Sequence, residues 1–163
     1  MTNNTIHQTV PVKREYSAGG IVYKKKSETH LPSGGQKLNC EWLVCQHSQH
    51  KGWVFPKGLI GDHKEGETHE ETAVREVKEE TGVDGKIIQK LPQPVQYFYV
   101  WRGEKRLKTV YYYLMDFVGG DIEKHDHEMS AVEWLPTEEV LDRLTYKSDK
   151  ESFKEALKLM SGL

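Results

Sequence analysis

The chain has 163 residues, 36% of them hydrophobic, which suits one domain with one core and excludes disorder throughout. Twenty-three Lys and Arg against 25 Asp and Glu give a net charge of −2, which argues against nucleic-acid binding driven by bulk charge. No apolar run approaches a membrane span, residues 1–10 lack a signal peptide's apolar stretch, and Cys40 and Cys45 fall on opposite faces of a strand-like segment, so the expectation is an unbridged, cytoplasmic protein.

Residues 1–14 read as a flexible N-terminal arm and 15–163 as a single domain. Residues 16–25 (YSAGGIVYKK) predict a strand in which Gly19 and Gly20 permit a bulge or a close approach. Residues 26–37 form a polar loop with Gly and Pro, and residues 38–47 hold a buried strand, CEWLVCQ. The short apolar run WVFPKG at 53–58 is stopped by Pro56 and Gly58. A helix is predicted over 69–81, with Thr68 and Glu71 as a capping box, Ala73, Val74, Val77 and Thr81 as its buried stripe, and Gly82 as its C-terminal cap. Strands follow at 86–91, 95–101, 107–118 and 131–135, with a turn at 102–105. Thr137 is placed to cap a helix through Leu144. Ser148 and Glu151 read as a second capping box before a helix with Phe153, Ala156, Leu157 and Met160 on one side. Strands on both sides of the central helix predict an α/β (α+β) fold, a mixed sheet covered by helices.

Segment 61–80 carries eight acids against Lys64, Arg75 and Lys78, a formal charge of −5. Glu76, Glu79 and Glu80 fall within about 100° of one helical face, beside the Val74 and Val77 stripe. Carboxylates so close repel unless a positive group stands among them. Oxygen donors without a nearby cysteine suit a hard cation, Mg²⁺ or Mn²⁺; His63 and His69 have no clear ligand spacing to the trio, so zinc is the poorer reading.

Gly61, Glu67, Arg75-Glu76-Val77, Glu79-Glu80 and Gly82-Val83, at their spacing, resemble the box of the Nudix hydrolase family. SAGGIVY at 17–23 is similar to that family's first strand and WVFPKG to its lead-in. The resemblance covers residues 15–160 and implies an α/β/α sandwich with a mixed central sheet. It implies that Glu76, Glu79 and Glu80 hold one to three Mg²⁺ ions and that Arg75 pairs with Glu67. A backbone carbonyl of Gly58 or Gly61 joins the ligands; spacing favours Gly61, the Pro-Lys-Gly context favours Gly58, and Gly58 is preferred. Glu128 is chosen as the outlying acid, base or ligand, with Asp126 and Glu123 behind it.

The implied reaction is hydrolysis of a phosphoanhydride in a substrate linked to a nucleoside diphosphate. Among branches, the chain looks most like the bis(5′-nucleosyl) tetraphosphate hydrolases, which cleave diadenosine tetraphosphate. Alternatives are hydrolases of diphosphoinositol polyphosphates, ADP-ribose or RNA 5′ ends, or a non-catalytic nucleotide-sensing module. Tyr97 and Tyr99 share one strand face and Tyr111 and Tyr113 another, and each is a candidate for stacking on adenine. Lys57 and Lys108 are candidates for the distal phosphates, with Arg102, Lys105 and Arg106 beside Lys108 on a charged hairpin tip; His47 and His50 lie near the Pro-Lys-Gly loop. No membrane partner is expected, nucleic acid enters only as RNA 5′ ends, and monomer and homodimer both remain open.

Overall fold

A computed structural model describes residues 11–26 and 39–163 of the chain. Eight strands join one sheet: β1 (Lys13–Lys25), β2 (Cys40–His47), β3 (Trp53–Val54), β4 (Lys57–Leu59), β5 (Val83–Lys90), β6 (Val95–Trp101), β7 (Glu104–Gly120) and β8 (Met129–Pro136). The helices are α1 (His69–Thr81), α2 (Thr137–Arg143) and α3 (Lys147–Ser161). β1 and β7 run parallel from Lys13↔Arg106 to Tyr23↔Asp116, and the remaining pairs are antiparallel, so the sheet is mixed as expected.

One local split in this sheet positions the site. β1 and β2 pair only from Tyr23↔Trp42 to Lys25↔Cys40. Beyond that they diverge, and the gap is filled by β4 against β1 at residues 17–19 and by β3 against β2 at Cys45 and Gln46. The Pro-Lys-Gly segment is thereby held inside the sheet. Gly19 and Gly20 serve close approach, since the β1 register with β7 shows no bulge. A Cβ on Gly20 would lie 2.5 Å from Val77 of α1, and one on Gly19 would lie 2.2 Å from the Pro56 carbonyl oxygen.

Each face of the sheet buries its own core. Ala73 and Val77 of α1 pack with Ala18, Val22, Leu43, Cys45 and Met115. On the other face Val140 of α2 and Phe153, Ala156 and Met160 of α3 pack with Ile21, Trp42, Phe55 and Leu114. This is the α/β/α sandwich. Cys40 and Cys45 are buried in different cores and both are free thiols, in keeping with the strand alternation. Among the described residues no helix is long and apolar enough to cross a membrane.

Several boundaries differ from expectation. β1 starts at Lys13, so Lys13 and Arg14 belong to a strand rather than the arm, because the long β7 supplies them with backbone partners. The rest of that arm except residues 11 and 12, and all but Lys26 of the 26–37 loop, lie outside the described residues. β5 and β7 are longer than expected, each extended by pairing with the other at Val83↔Gly120 and Asp84↔Gly119. α1 keeps its Thr68–Glu71 capping box and its left-handed Gly82 cap. Val74, however, is 37% exposed, and Glu76 and Glu80 take the buried positions instead. Thr137 does not cap α2; its hydroxyl accepts from the Trp42 indole at 2.9 Å. The second capping box does not form. Thr145 exchanges hydrogen bonds with Trp53, and α3 begins upstream of Ser148, at Lys147, while Glu151 pairs with Lys154.

Candidate active site

α1 begins at a capped Thr68, so its phase is set locally, and the placing of Glu76, Glu79 and Glu80 follows from that phase. Arg75 organises Glu76 and Glu79 together with Glu67, which lies just before the cap. Its Nε and Nη2 donate to the two oxygens of Glu67 at 2.7 and 2.9 Å, a bidentate pair. Its Nη1 donates to Glu76 at 2.7 Å and to Glu79 at 3.0 Å. Thr72 adds a hydroxyl bond to Glu67 at 2.9 Å. These donors hold the Glu67 carboxyl down at a pKa of about 2, with Arg75 the chief cause.

Glu80, 4% exposed, takes a hydrogen bond from the Lys57 backbone N–H at 2.9 Å. Burial pushes its pKa up to about 8, Glu76 and Glu128 add to the rise, and Lys57 opposes it. Burial also raises Glu76, with the Arg75 guanidinium offsetting part of the effect. Gly58 sits against this group: a Cβ there would lie 2.1 Å from the Glu76 carboxyl carbon. Gly61 instead forms a turn with φ +77°, and its backbone N–H adds to the donors on Glu67.

Glu76, Glu79, Glu80, Asp126 and Glu128 line a cavity of about 360 Å³ together with Gly58, His63, Lys57, Lys108 and Tyr97. Asp126 is brought there by its backbone N–H, which donates to the Glu79 carbonyl at 3.0 Å, and its carboxylate accepts from the Glu128 N–H at 2.9 Å. Glu123 lies in a short 3-10 helix and does not line the cavity. Lys57 stays charged because Asp149, Tyr97 and Glu80 outweigh the cost of its burial, whereas burial and the nearby Lys57 lower Lys108.

The aromatic candidates separate. Tyr97 lines the cavity, and Tyr99 lies next to it, at 6.4 Å between ring centroids, with its hydroxyl bonded to Glu15. Tyr111 and Tyr113 are on the α1 side of the sheet and do not reach the cavity. Tyr111 stacks on His69 at 4.6 Å, and Tyr113 is buried with its hydroxyl on Glu70 at 3.1 Å. The strand parity of β7 puts residues 111 and 113 on the face opposite Lys108.

Sequence reading gave Asp149 no role. It is 4% exposed in the first turn of α3, accepts from the Tyr112 hydroxyl at 3.0 Å, and is the leading counter-charge to Lys57. In sequence it is one more acid in a charged helix start, and only the tertiary fold buries it. His47 and His50 line the cavity as a stacked pair at 4.1 Å.

Comparison with known proteins accords with this architecture. The model of the NUDIX domain family matches residues 31–157. A Mycobacterium tuberculosis protein carrying the MutT4 name is 40% identical over 68% of this chain and 43% of its own length. An RNA pyrophosphohydrolase of Erythrobacter litoralis is 32% identical over 68% of this chain and 74% of its own. The asymmetrical bis(5′-nucleosyl)-tetraphosphatase of mouse is 28% identical over 85% and 90%. The fold is that of a solved Caenorhabditis elegans Ap4A hydrolase binary complex, with TM-score 0.67 and 24% identity over 91% of this chain and 99% of that one. The chain spans about two fifths of the length of the first curated relatives it matches. With more than half its residues matched by the family model, the chain belongs to the NUDIX domain family.

Proposed function

We propose that the chain is a Mg²⁺-dependent phosphoanhydride hydrolase acting on a substrate linked to a nucleoside diphosphate, with dinucleoside polyphosphates such as diadenosine tetraphosphate as the leading class. The observation that carries this reading is a single cavity lined by Glu76, Glu79, Glu80 and Glu128 together with Lys57, Lys108 and Tyr97. The similarity to the mouse tetraphosphatase supports the substrate class.

The donors fit a hard divalent cation. They are all oxygens, and the buried Glu80 carboxyl, raised to about 8, has too little positive charge around it to ionise readily. Among the described residues no three side chains already form a ligand set, and Arg75 holds Glu76 and Glu79 together. Glu76, Glu79, Glu80, Glu128 and the Gly58 carbonyl would hold the ion. When bound, Mg²⁺ offsets substrate charge and acidifies a water.

The protein's own groups do the rest. Lys57 and Lys108 bind the phosphates, and Tyr97 stacks on a base. Arg75, fixed by Glu67, orients Glu76 and Glu79. Glu128 accepts a proton from the attacking water as its oxygen bonds to phosphorus and the bridging P–O bond breaks, releasing a nucleoside phosphate. Two buried free thiols suit a reducing cytoplasm.

The test is a substrate panel of dinucleoside polyphosphates, ADP-ribose, diphosphoinositol polyphosphates and 5′-triphosphorylated RNA, with Mg²⁺, in isotopically labelled water. Label position identifies the phosphorus attacked. Unchanged hydrolysis by Glu79→Gln and Glu80→Gln would refute the roles given to these residues. The similarity to an RNA pyrophosphohydrolase makes RNA ends the second reading.

A further inference from the structure

One row of side chains runs from the cavity to the start of α3. Gly19 of β1 lies opposite Lys57 of β4 on one side and opposite Tyr112 of β7 on the other. Residues directly opposite in a sheet point to the same face, so Lys57 and Tyr112 flank Gly19 on the face that carries α3. No side chain separates them; a Cβ on Gly19 would lie 2.6 Å from the Cβ of Lys57. Phe55 of the same segment packs on Tyr112 and on Phe153 of α3, with ring centroids 6.1 and 6.2 Å apart.

The start of α3 is fixed over this row. The Thr145 N–H donates to the Trp53 carbonyl at 3.0 Å, and the Thr145 hydroxyl accepts from the Trp53 N–H at 2.8 Å. The Tyr146 hydroxyl meets Nδ1 of His50, a cavity residue, at 3.1 Å. In the first turn that follows, the buried Asp149 carboxylate accepts from the Tyr112 hydroxyl at 3.0 Å.

A buried carboxylate is costly without a counter-charge. Asp149 does not line the cavity, but Lys57 does, and Asp149 leads the groups that favour the Lys57 ammonium, ahead of Tyr97 and Glu80. Lys57 and Lys108 share the cavity wall and repel each other, which an acid beside Lys57 offsets. Among the described residues Lys57 forms no direct ion pair, so its donors remain for a ligand. We propose that Asp149, held by Tyr112, is a positioning residue that sets how the Lys57 ammonium meets substrate phosphates. The inference rests on the hydrolase reading, which places phosphates at Lys57.

The test is a double-mutant cycle. Calorimetry with Mg²⁺ measures binding of an ATP analogue that carries methylene groups in place of both bridging oxygens, and diadenosine tetraphosphate hydrolysis is assayed in parallel. Asp149→Asn, which keeps the size of the side chain and an acceptor for Tyr112, is expected to weaken binding about tenfold in wild type but less than about twofold in Lys57→Gln. Tyr112→Phe keeps the ring packing and removes only the hydroxyl. It is expected to weaken binding about threefold, again only where Lys57 is present, and it carries the test should Asp149→Asn fail to fold. A merely structural role for Asp149 predicts equal losses in both backgrounds, and that result overturns the proposal. So does Asp149→Asn binding as tightly as wild type, or Lys57→Gln binding as tightly as wild type. Hydrolysis with equal losses in both backgrounds removes the positioning role alone. Coupled losses without hydrolysis of any substrate remove the hydrolase reading and leave Asp149 setting Lys57 for a phosphate ligand.

Discussion

The carboxyl group of Glu76 fills the space that a side chain on Gly58 would need, at 2.1 Å from an ideal Cβ. Gly61 has open space around it, its nearest neighbour 4.0 Å away, but holds a left-handed φ of +77°. Alanine at the two positions should therefore act differently. Gly58→Ala is expected to displace Glu76 and cut hydrolysis by about 100-fold or more. Gly61→Ala is expected to cost about 1 kcal/mol of stability, with turnover within a few-fold of wild type. Steady-state kinetics and denaturant melts of both variants check this, and equal kinetic losses would contradict it.

Stability should depend on pH through Glu80. Its folded pKa, about 8, lies above the unfolded carboxylate value, so the folded state keeps a proton that the unfolded state releases. Its contribution is full below about pH 4.5 and declines as pH rises to about 8. In chelator, the melting temperature of wild type relative to Glu80→Gln is expected to fall across that window, a comparison that cancels the opposing His47 and His50 shifts. Saturating Mg²⁺ should reverse the fall in wild type only. A pH-independent difference between the two proteins would refute the argument. Glu67 acts in the other direction: held at about 2, it contributes stability above about pH 4.5 that is lost as pH falls through 2.

Removing Arg75 leaves Glu67, Glu76 and Glu79 without their shared donor. Arg75→Gln is expected to destabilise the fold by about 2–4 kcal/mol, because partly buried carboxylates lose their counter-charge. Arg75→Lys should restore only part of this, since an ammonium lacks the bidentate fork. Urea unfolding of the three proteins measures it; a lysine variant as stable as wild type would show that charge alone suffices.

Tyr97 and Tyr111 offer a paired contrast. Tyr97 faces the cavity and Tyr111 stacks on His69 across the sheet. Tyr97→Ala is expected to raise KM about tenfold, the loss of one base-stacking contact, with kcat little changed. Tyr111→Ala should leave KM within about twofold. A larger KM effect at position 111 would place the nucleoside on the other face.

What the sequence determined alone was local: helix α1 with both its caps, the β6 strand, and the helical arc shared by Glu76, Glu79 and Glu80. Capping needs residues three apart, and side-chain direction needs only the helix repeat, so neighbours in the chain suffice. Tertiary structure decided the rest. The splayed β1–β2 pair brings Lys57 and Gly58 onto α1, and strand parity sends Tyr97 to the cavity but Tyr111 and Tyr113 away from it. Packing rotated α1 so that Glu76 and Glu80, not Val74, face inward, and it buried Asp149 behind Lys57. Those outcomes depend on contacts between residues tens of positions apart, whose burial and electrostatic field exist only once the sheet has formed.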